Sequence, residues 1–140
     1  MVLADGTRVW LNAASELMYP DHFSADQRKV VLKGEAYFEV TKDVKRPFSV
    51  VLGDMEVKVL GTSFNVSAYP GVKRQTTLIE GQVAVNWHRQ QVVIRPGQQA
   101  AETDEGLRVA SVNVMNYVGW KEHRFVYENK LLAKIGRAHV

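Results

Sequence analysis

The four histidines are the residues best suited to bind a metal ion, and their positions do not favour a shared site. His22, His88, His123 and His139 lie far apart in the sequence, and no two have the short spacing that brings two ligands to one metal. The chain has no cysteine. That fits a reducing cytosol and equally a periplasmic domain of this size, so cysteine content leaves the compartment open. The sequence therefore predicts no metal site and no other cofactor.

Paired carboxylates could perform acid–base chemistry, and Glu35 and Glu39 are the pair that invites this comparison. Residues four apart on a strand share a face at about 13 Å, because each residue rises about 3.3 Å. Glycosidases hold their two carboxyl groups closer together, within about 10 Å. The spacing of Glu35 and Glu39 is therefore too long for glycoside hydrolysis.

Nucleophilic catalysis and phosphate binding lack support as well. None of the serines stands in a nucleophile elbow; they are Ser15, Ser24, Ser49, Ser63, Ser67 and Ser111. Gly61-Thr-Ser63 lacks the Gly-x-x-x-x-Gly-Lys pattern of a phosphate loop and is typical of a strand bent at a glycine. We therefore expect no enzymatic activity.

Alternating apolar residues predict that short strands form most of the chain. Between Gly34 and Val40, apolar residues recur with the two-residue period of a strand that buries one face. The same period returns between turns rich in glycine, proline and aspartate. We predict strands at 9–11, 29–32, 35–40, 48–51, 56–60, 62–68, 76–80, 83–86 and 92–94, with two more on either side of a turn at 104–106. This spacing predicts an all-β fold, an antiparallel β-sandwich or a flattened β-roll.

Length and composition fit one globular core. A chain of 140 residues buries roughly two-thirds of the surface that its unfolded form exposes. Its hydrophobic content of 46% lies in the globular range, and no apolar run approaches the roughly 20 residues of a membrane-spanning helix. The first residues lack a secretory leader pattern, so export would depend on sequence outside this chain. The core is predicted to contain Phe38, Val57, Val59, Phe64, Val66, Leu78 and Val83.

The net charge of +3 does not indicate nucleic-acid binding, because the basic residues do not cluster. They are spread along the chain, mostly at turns between apolar segments; they include Arg8, Arg28-Lys29, Lys42, Lys45-Arg46, Lys73-Arg74 and Arg89. At such positions the charge can stay solvated. We therefore predict no nucleic-acid partner.

The hydrophobic pattern changes near Ser111, where the spacing becomes closer to three or four residues. This predicts a short helical connector at about 114–121, laid across a sheet edge. Alternation returns at 124–128, and Asn129 is a suitable N-cap for a second helix. The last residues, 135–140, do not continue that pattern and are interpreted as a non-native tail.

Several segments together resemble the periplasmic sensor domain of the FecR family of anti-sigma regulators. They are Leu3-Ala-Asp-Gly-Thr-Arg-Val-Trp-Leu-Asn12, Gly34-Glu-Ala-Tyr-Phe-Glu-Val40, Lys45-Arg46-Pro47-Phe48, Val59-Leu60-Gly-Thr-Ser-Phe-Asn-Val66, Glu80-Gly-Gln-Val83, Pro96-Gly-Gln98 and Trp120-Lys121. Their order is the order of the family. The resemblance implies a FecR-like all-β domain at 1–111, followed at 112–134 by a connector and the truncated start of a second small signalling-type domain.

The resemblance also implies a function, that of a non-enzymatic periplasmic relay in an inner-membrane protein. Such a domain would receive a signal from the signalling domain of a TonB-dependent outer-membrane transporter and pass it to a cytoplasmic sigma factor. The sigma factor would bind an N-terminal part outside this chain, and the only membrane contact would be a transmembrane helix that is also outside it. Iron or glycan uptake would be the regulated process.

Two interpretations of the surface follow. Under the relay hypothesis, the segment before and after the start of the second domain is the candidate partner interface, because an uncovered strand edge can accept a partner strand; its residues are Trp120, Arg124, Phe125, Tyr127 and Glu128. The alternative is a β-sandwich that binds carbohydrate or cell wall through exposed aromatic residues. Trp10 and Tyr37 would serve there, unless a second sheet or the connector covers them.

Overall fold

The computed structural model describes residues 1–123 and 137–139. Within them the strands are β1 (Arg8–Leu11), β2 (Glu16–Met18), β3 (Arg28–Glu39), β4 (Phe48–Leu52), β5 (Met55–Val59), β6 (Ser63–Ala68), β7 (Gln75–Glu80), β8 (Val83–Trp87), β9 (Gln90–Ile94), β10 (Gln98–Thr103), β11 (Gly106–Ser111) and β12 (Arg137–His139). A short helix, α1 (Met115–Val118), runs into a 3₁₀ helix at Gly119–His123. The all-β fold and the short connector helix are confirmed, and the second predicted helix lies outside the described residues.

β3 is shared by two sheets and organises the fold. Its first half pairs with β2 and β4, and its second half pairs with β1 and β6. The sequence predicted two separate strands here, but the chain continues unbroken through Gly34, whose φ is +104°. A side chain at this position would collide with Ser15, whose Oγ accepts a hydrogen bond from the Glu35 N–H at 2.8 Å. Glycine therefore lets one strand turn the corner between the sheets.

The two sheets leave β3 in opposite directions. The first, sheet A, runs β1, β3, β6, β7, β10 and β11, and the second, sheet B, runs β3, β4, β5, β8 and β9 with β2 at its margin. All these pairs are antiparallel except β3 with β4, which is parallel. That parallel pair corrects the purely antiparallel prediction, and it arises because β4 follows β3 by a crossover rather than a hairpin. β12 adds to the outer edge of β2.

Gln90 joins the far edges of the two sheets and so closes them into a β-roll, which we call the roll. Its Nε2 donates to the Leu107 carbonyl at 3.1 Å, and its Oε1 accepts from the Leu107 N–H at 2.7 Å. The side-chain amide thus makes both hydrogen bonds that a neighbouring strand would make. This contact joins β9 to β11 and protects two strand edges that would otherwise be open.

The core fills the space between the sheets, and every predicted core residue is at most 3% exposed. Phe38 stacks on Phe64 with ring centroids 5.1 Å apart and meets Phe48 edge-on at 6.0 Å. These three rings come from three different strands of both sheets. Phe38 and Phe64 are direct partners in sheet A, so their stacking supports the register of β3 with β6, and the Phe38–Phe48 contact joins the two sheets.

Arg28 contradicts the prediction that the basic residues stay solvated, because its side chain is fully buried. Its Nη1 donates to Asp5 Oδ2 and to the Thr41 carbonyl, both at 2.8 Å. Its Nε donates to the Arg46 carbonyl at 2.8 Å and its Nη2 to the Leu60 carbonyl at 3.0 Å. A guanidinium carries several fixed donors, so one residue satisfies carbonyls of two loops and the carboxylate of Asp5 at this end of the roll.

Acid is expected to destabilise the fold through carboxylates that are bound in the folded state. Burial raises the pKa of Asp5, but hydrogen bonds from Thr7 and Arg28 outweigh it and hold that pKa below its ordinary value. Hydrogen bonds from Arg74 likewise lower the pKa of Glu102. A lowered folded pKa gives stability that is complete above the ordinary value of about 4 and is lost as the pH falls through the folded value.

Urea unfolding at neutral pH and at about pH 3 tests this expectation. The unfolding midpoint should fall on acidification, and Asp5→Asn should weaken that dependence because it removes one of the titrating groups. An unfolding midpoint that stays constant down to pH 3 would contradict it.

Candidate functional site

A row of five side chains crosses the outer face of sheet A, facing away from the core. The strand register places them side by side, and we call them the docking row: Trp10, Tyr37, Asn65, Thr77 and Gln99. All but Trp10 are at most 6% exposed, although they point outward. Their burial shows that something covers this face.

Over Trp10, Tyr37 and Asn65 the cover is the described part of the connector, residues 112–123. Trp120 Nε1 donates to Asn65 Oδ1 at 3.0 Å. The amide of Asn65 in turn donates to Glu35 Oε2 at 2.8 Å, and Glu35 Oε1 accepts from Asn12 at 2.9 Å. A continuous hydrogen-bonded chain therefore joins the connector to β6, to β3 and to the end of β1.

Lys121 makes the second contact, with the aromatic end of the docking row. Its Nζ lies 4.6 Å from the ring centroid of Tyr37 and 5.0 Å from that of Trp10. The two rings meet edge-on at 5.6 Å. An ammonium in this position is attracted by both ring faces. Burial raises the pKa of Tyr37, and the positive charge of Lys121 opposes that rise.

The connector has little structure of its own to hold it in place. α1 spans four residues and its N-cap, Val114, makes no side-chain capping bond. Isolated helices this short are unstable in water, because nucleation costs more than one turn of hydrogen bonds returns. Val118 is buried and Trp120 is partly buried. The conformation of the connector therefore depends on its contact with the docking row.

The structure places one of the predicted interface residues, Trp120, on the docking row. Arg124, Phe125, Tyr127 and Glu128 lie outside the described residues, so their partner role stays a prediction. Sequence reasoning missed Asn65 and Lys121. The sequence pattern could have indicated Asn65, because Trp10, Tyr37 and Asn65 all occupy outward-facing positions of their strands.

The aromatic surface required by the carbohydrate-binding alternative is not free. Tyr37 is 4% exposed, and Trp10 lies between Lys121 and Arg8, whose guanidinium carbon is 5.3 Å from the ring centroid. A sugar platform needs open ring faces, and here Lys121 of the connector and Arg8 of β1 occupy them. The sequence left open whether Trp10 and Tyr37 form an exposed binding patch or are covered by another part of the chain. In the structure the connector lies against both.

A family model described as FecR protein matches residues 1–84, which is more than half of the chain. The chain belongs to the FecR family. No curated protein matches it.

Within the described residues, no three His, Cys, Asp or Glu side chains are grouped so that they could hold a metal ion. Over the same residues, no helix is long and apolar enough to cross a membrane.

Two solved structures, both candidate anti-sigma factors from Parabacteroides distasonis, are similar to this FecR chain. The first has 33% sequence identity and a TM-score of 0.82, and the match covers 86% of this chain and 58% of that one. The second has 35% identity and a TM-score of 0.74, and the match covers 81% of this chain and 54% of that one. The chain thus spans somewhat more than half the length of each, and the family and these relatives support a signalling or regulatory role.

Removing the Trp120 hydrogen bond should loosen the connector without disturbing the roll. Trp120→Phe keeps an aromatic ring but leaves the buried Asn65 oxygen without its donor, which costs about 1–3 kcal/mol. We expect the amide protons of Tyr117 and Val118, which donate to the Val114 carbonyl, to exchange roughly tenfold faster or more. Hydrogen exchange followed by NMR measures this.

Tyr69→Phe is the matched control, because it removes one hydrogen bond, from the Tyr69 hydroxyl to the Ala13 carbonyl at 2.8 Å. It should leave exchange in the connector unchanged. If Trp120→Phe also leaves it unchanged, the indole contact does not hold the connector in place.

Proposed function

We propose that this chain is the periplasmic sensor and relay domain of a membrane-anchored anti-sigma regulator. It would pass a signal from a TonB-dependent outer-membrane transporter to a cytoplasmic sigma factor, which would bind a part of the regulator outside this chain. Membership of the FecR family supports the regulatory role. The observation that carries the relay is the docking of the connector on sheet A through Trp120 and Lys121.

A relay needs a part that can exist in two states, and the connector would have a docked state and a released state. Its contacts with the roll are few, so docked and released states differ by a small free energy, and a partner that prefers one state shifts the population. The docking row includes Tyr37 of β3, and β3 continues round Gly34 into sheet B. A change at the connector therefore acts directly on the strand that both sheets share.

The partner would act on the segment that follows the docked part of the connector. Residues 120–128 include the predicted interface residues, and the family resemblance implies a second small domain after them. An extended strand of the transporter's signalling domain could add to an edge there, because strand addition requires only main-chain hydrogen bonds and alternate side-chain pockets. The roll itself would hold the connector rather than bind the transporter.

A pull-down with the transporter's signalling domain as bait tests this assignment. Two forms would be compared, residues 1–140 and a form extended through the complete second domain, both checked for folding by far-ultraviolet circular dichroism. The extended form should be captured and residues 1–140 should be captured much less. Equal capture of both would place the contact on the β domain and defeat the proposal.

A further inference from the structure

The outer face of sheet B differs from that of sheet A in being basic and apolar. It is exposed at Lys29, Lys58 and Val93, whereas Ser49 between the two lysines is only 2% exposed. The register aligns Lys29, Ser49, Lys58, Ala84 and Val93 in one row across five strands. A shallow groove at the end of this row is lined by residues that include Lys42, Val44 and Leu60. We call Lys29, Lys42, Lys58, Val44, Leu60 and Val93 the basic face.

Three apolar residues of this face are exposed. Val44 is 62% exposed, Val93 49% and Leu60 45%. They lie in one groove rather than scattered singly over the surface. A contiguous apolar patch with a polar rim is typical of a surface that binds something.

The lysines of the basic face keep most of their positive charge. Within residues 1–123, no ion pair is formed by Lys29, Lys42 or Lys58. Of the nearby acids, Asp43 pairs with Arg46 at 2.8 Å. Glu56 lies two residues from Lys58 on the same side of β5 and contacts only the neutral Asn86 amide, at 3.5 Å, so it offsets one of the three lysine charges. The face therefore presents net positive charge around an apolar centre.

The residue types and the geometry of the basic face favour, as its binding partner, a surface with many anionic groups over a peptide. Lysine is a flexible point charge, whereas fixed recognition of one carboxylate or phosphate favours arginine, whose donors form a rigid fork. The nearby arginines, Arg28 and Arg46, are used inside the domain. The face of a sheet offers no free backbone groups, so an extended peptide could not add main-chain hydrogen bonds here. The row spans about 19 Å, four strand spacings of about 4.8 Å, which suits a planar partner.

We infer that the basic face binds the surface of an anionic lipid bilayer, with the lysines at the headgroups and Val44, Leu60 and Val93 against the interface. Phosphate charge at a membrane surface attracts lysines without a fixed geometry, and apolar side chains among them add affinity. The inference rests on the charge and exposure of sheet B and does not require the relay function. If the relay also holds, the docking row faces away from the membrane and toward incoming partners.

Cosedimentation with vesicles tests the inference. The chain is mixed with vesicles of phosphatidylcholine alone and with vesicles that contain about one-quarter phosphatidylglycerol. We expect binding to the second and much less to the first. The double variant Lys42→Glu, Lys58→Glu should bind anionic vesicles at least about tenfold more weakly, because each lysine near the surface contributes roughly a fivefold factor.

A matched double variant with the same charge change, Arg89→Glu with Arg108→Glu, controls for net charge, because both residues are exposed and lie outside the basic face. It should lose much less binding. Val93→Ser should weaken binding without changing charge, and salt near 1 M should abolish most of it because the Debye length falls to about 3 Å.

Three results would overturn the inference. Equal sedimentation with neutral and anionic vesicles is the first, and an equal loss in both double variants is the second. The third is a chain that binds soluble poly-glutamate through Lys42 and Lys58 but does not bind vesicles. That result would make this face a docking surface for an acidic protein instead.

Discussion

Arg28→Met is expected to lower the free energy of unfolding by about 3–5 kcal/mol, because it leaves a buried carboxylate without its partner. Asp5, whose side chain is 3% exposed, pairs with Arg28 at 2.8 Å. The carbonyls of Thr41, Arg46 and Leu60 lose the same donor. Methionine fills a similar volume, so the loss measures the polar network rather than a cavity. Urea unfolding followed by circular dichroism gives the value.

Two further variants separate the network from general effects of removing an arginine. The double variant Arg28→Met, Asp5→Asn should recover part of the loss, because the uncompensated charge disappears. Arg46→Met breaks the half-exposed pair with Asp43 and should cost about 0–1 kcal/mol. A loss for Arg28→Met as small as that for Arg46→Met would show that the buried guanidinium does not stabilise this end of the roll.

Phe64→Ala should lower the free energy of unfolding by about 3–5 kcal/mol, the usual range for emptying an aromatic site in a packed core. Phe64 is fully buried and stacks on Phe38 at 5.1 Å. The cavity would lie between the two sheets, where strands held by hydrogen bonds on both sides have little freedom to close it.

Leu60→Ala is the comparison for that prediction, because Leu60 is 45% exposed and its truncation should stay within about 0.5 kcal/mol. Denaturant midpoints for both variants give the test. A midpoint for Phe64→Ala close to that of the unchanged chain would contradict the packing described for Phe38 and Phe64.

Local pattern was enough to predict the core and most of the strands, although it missed β2 and divided β3 at Gly34. In strands, side chains alternate strictly between faces, so Phe38, Phe64 and Val66 could be assigned to the interior from parity alone. Turn residues such as Asp104–Gly106 marked the ends of strands for an equally local reason, the backbone conformation that glycine permits. The connector helix was predicted by its change of period.

Contacts distant in sequence could not be predicted in this way. Arg28 has the same local surroundings as a solvated arginine, and its burial depends on acceptors that come from the loops near Asp5, Thr41 and Leu60. The role of Gln90 in closing the roll depends on a strand that follows it in the chain. The residues of the docking row occupy alternate strand positions that would normally face solvent. Only the fold shows that the connector lies against this row.

The most direct test of the central claim, that the docked connector relays a signal, is sigma-dependent transcription in cells that carry the complete regulator. Trp120→Phe combined with Lys121→Gln removes both docking contacts, and Tyr69→Phe serves as the control. We expect the docking variant to raise transcription several-fold without the transporter's ligand and to weaken the further response to it, because released connector becomes the more populated state. Transcription that matches the unchanged regulator with and without ligand, in a docking variant that is folded, would contradict the relay.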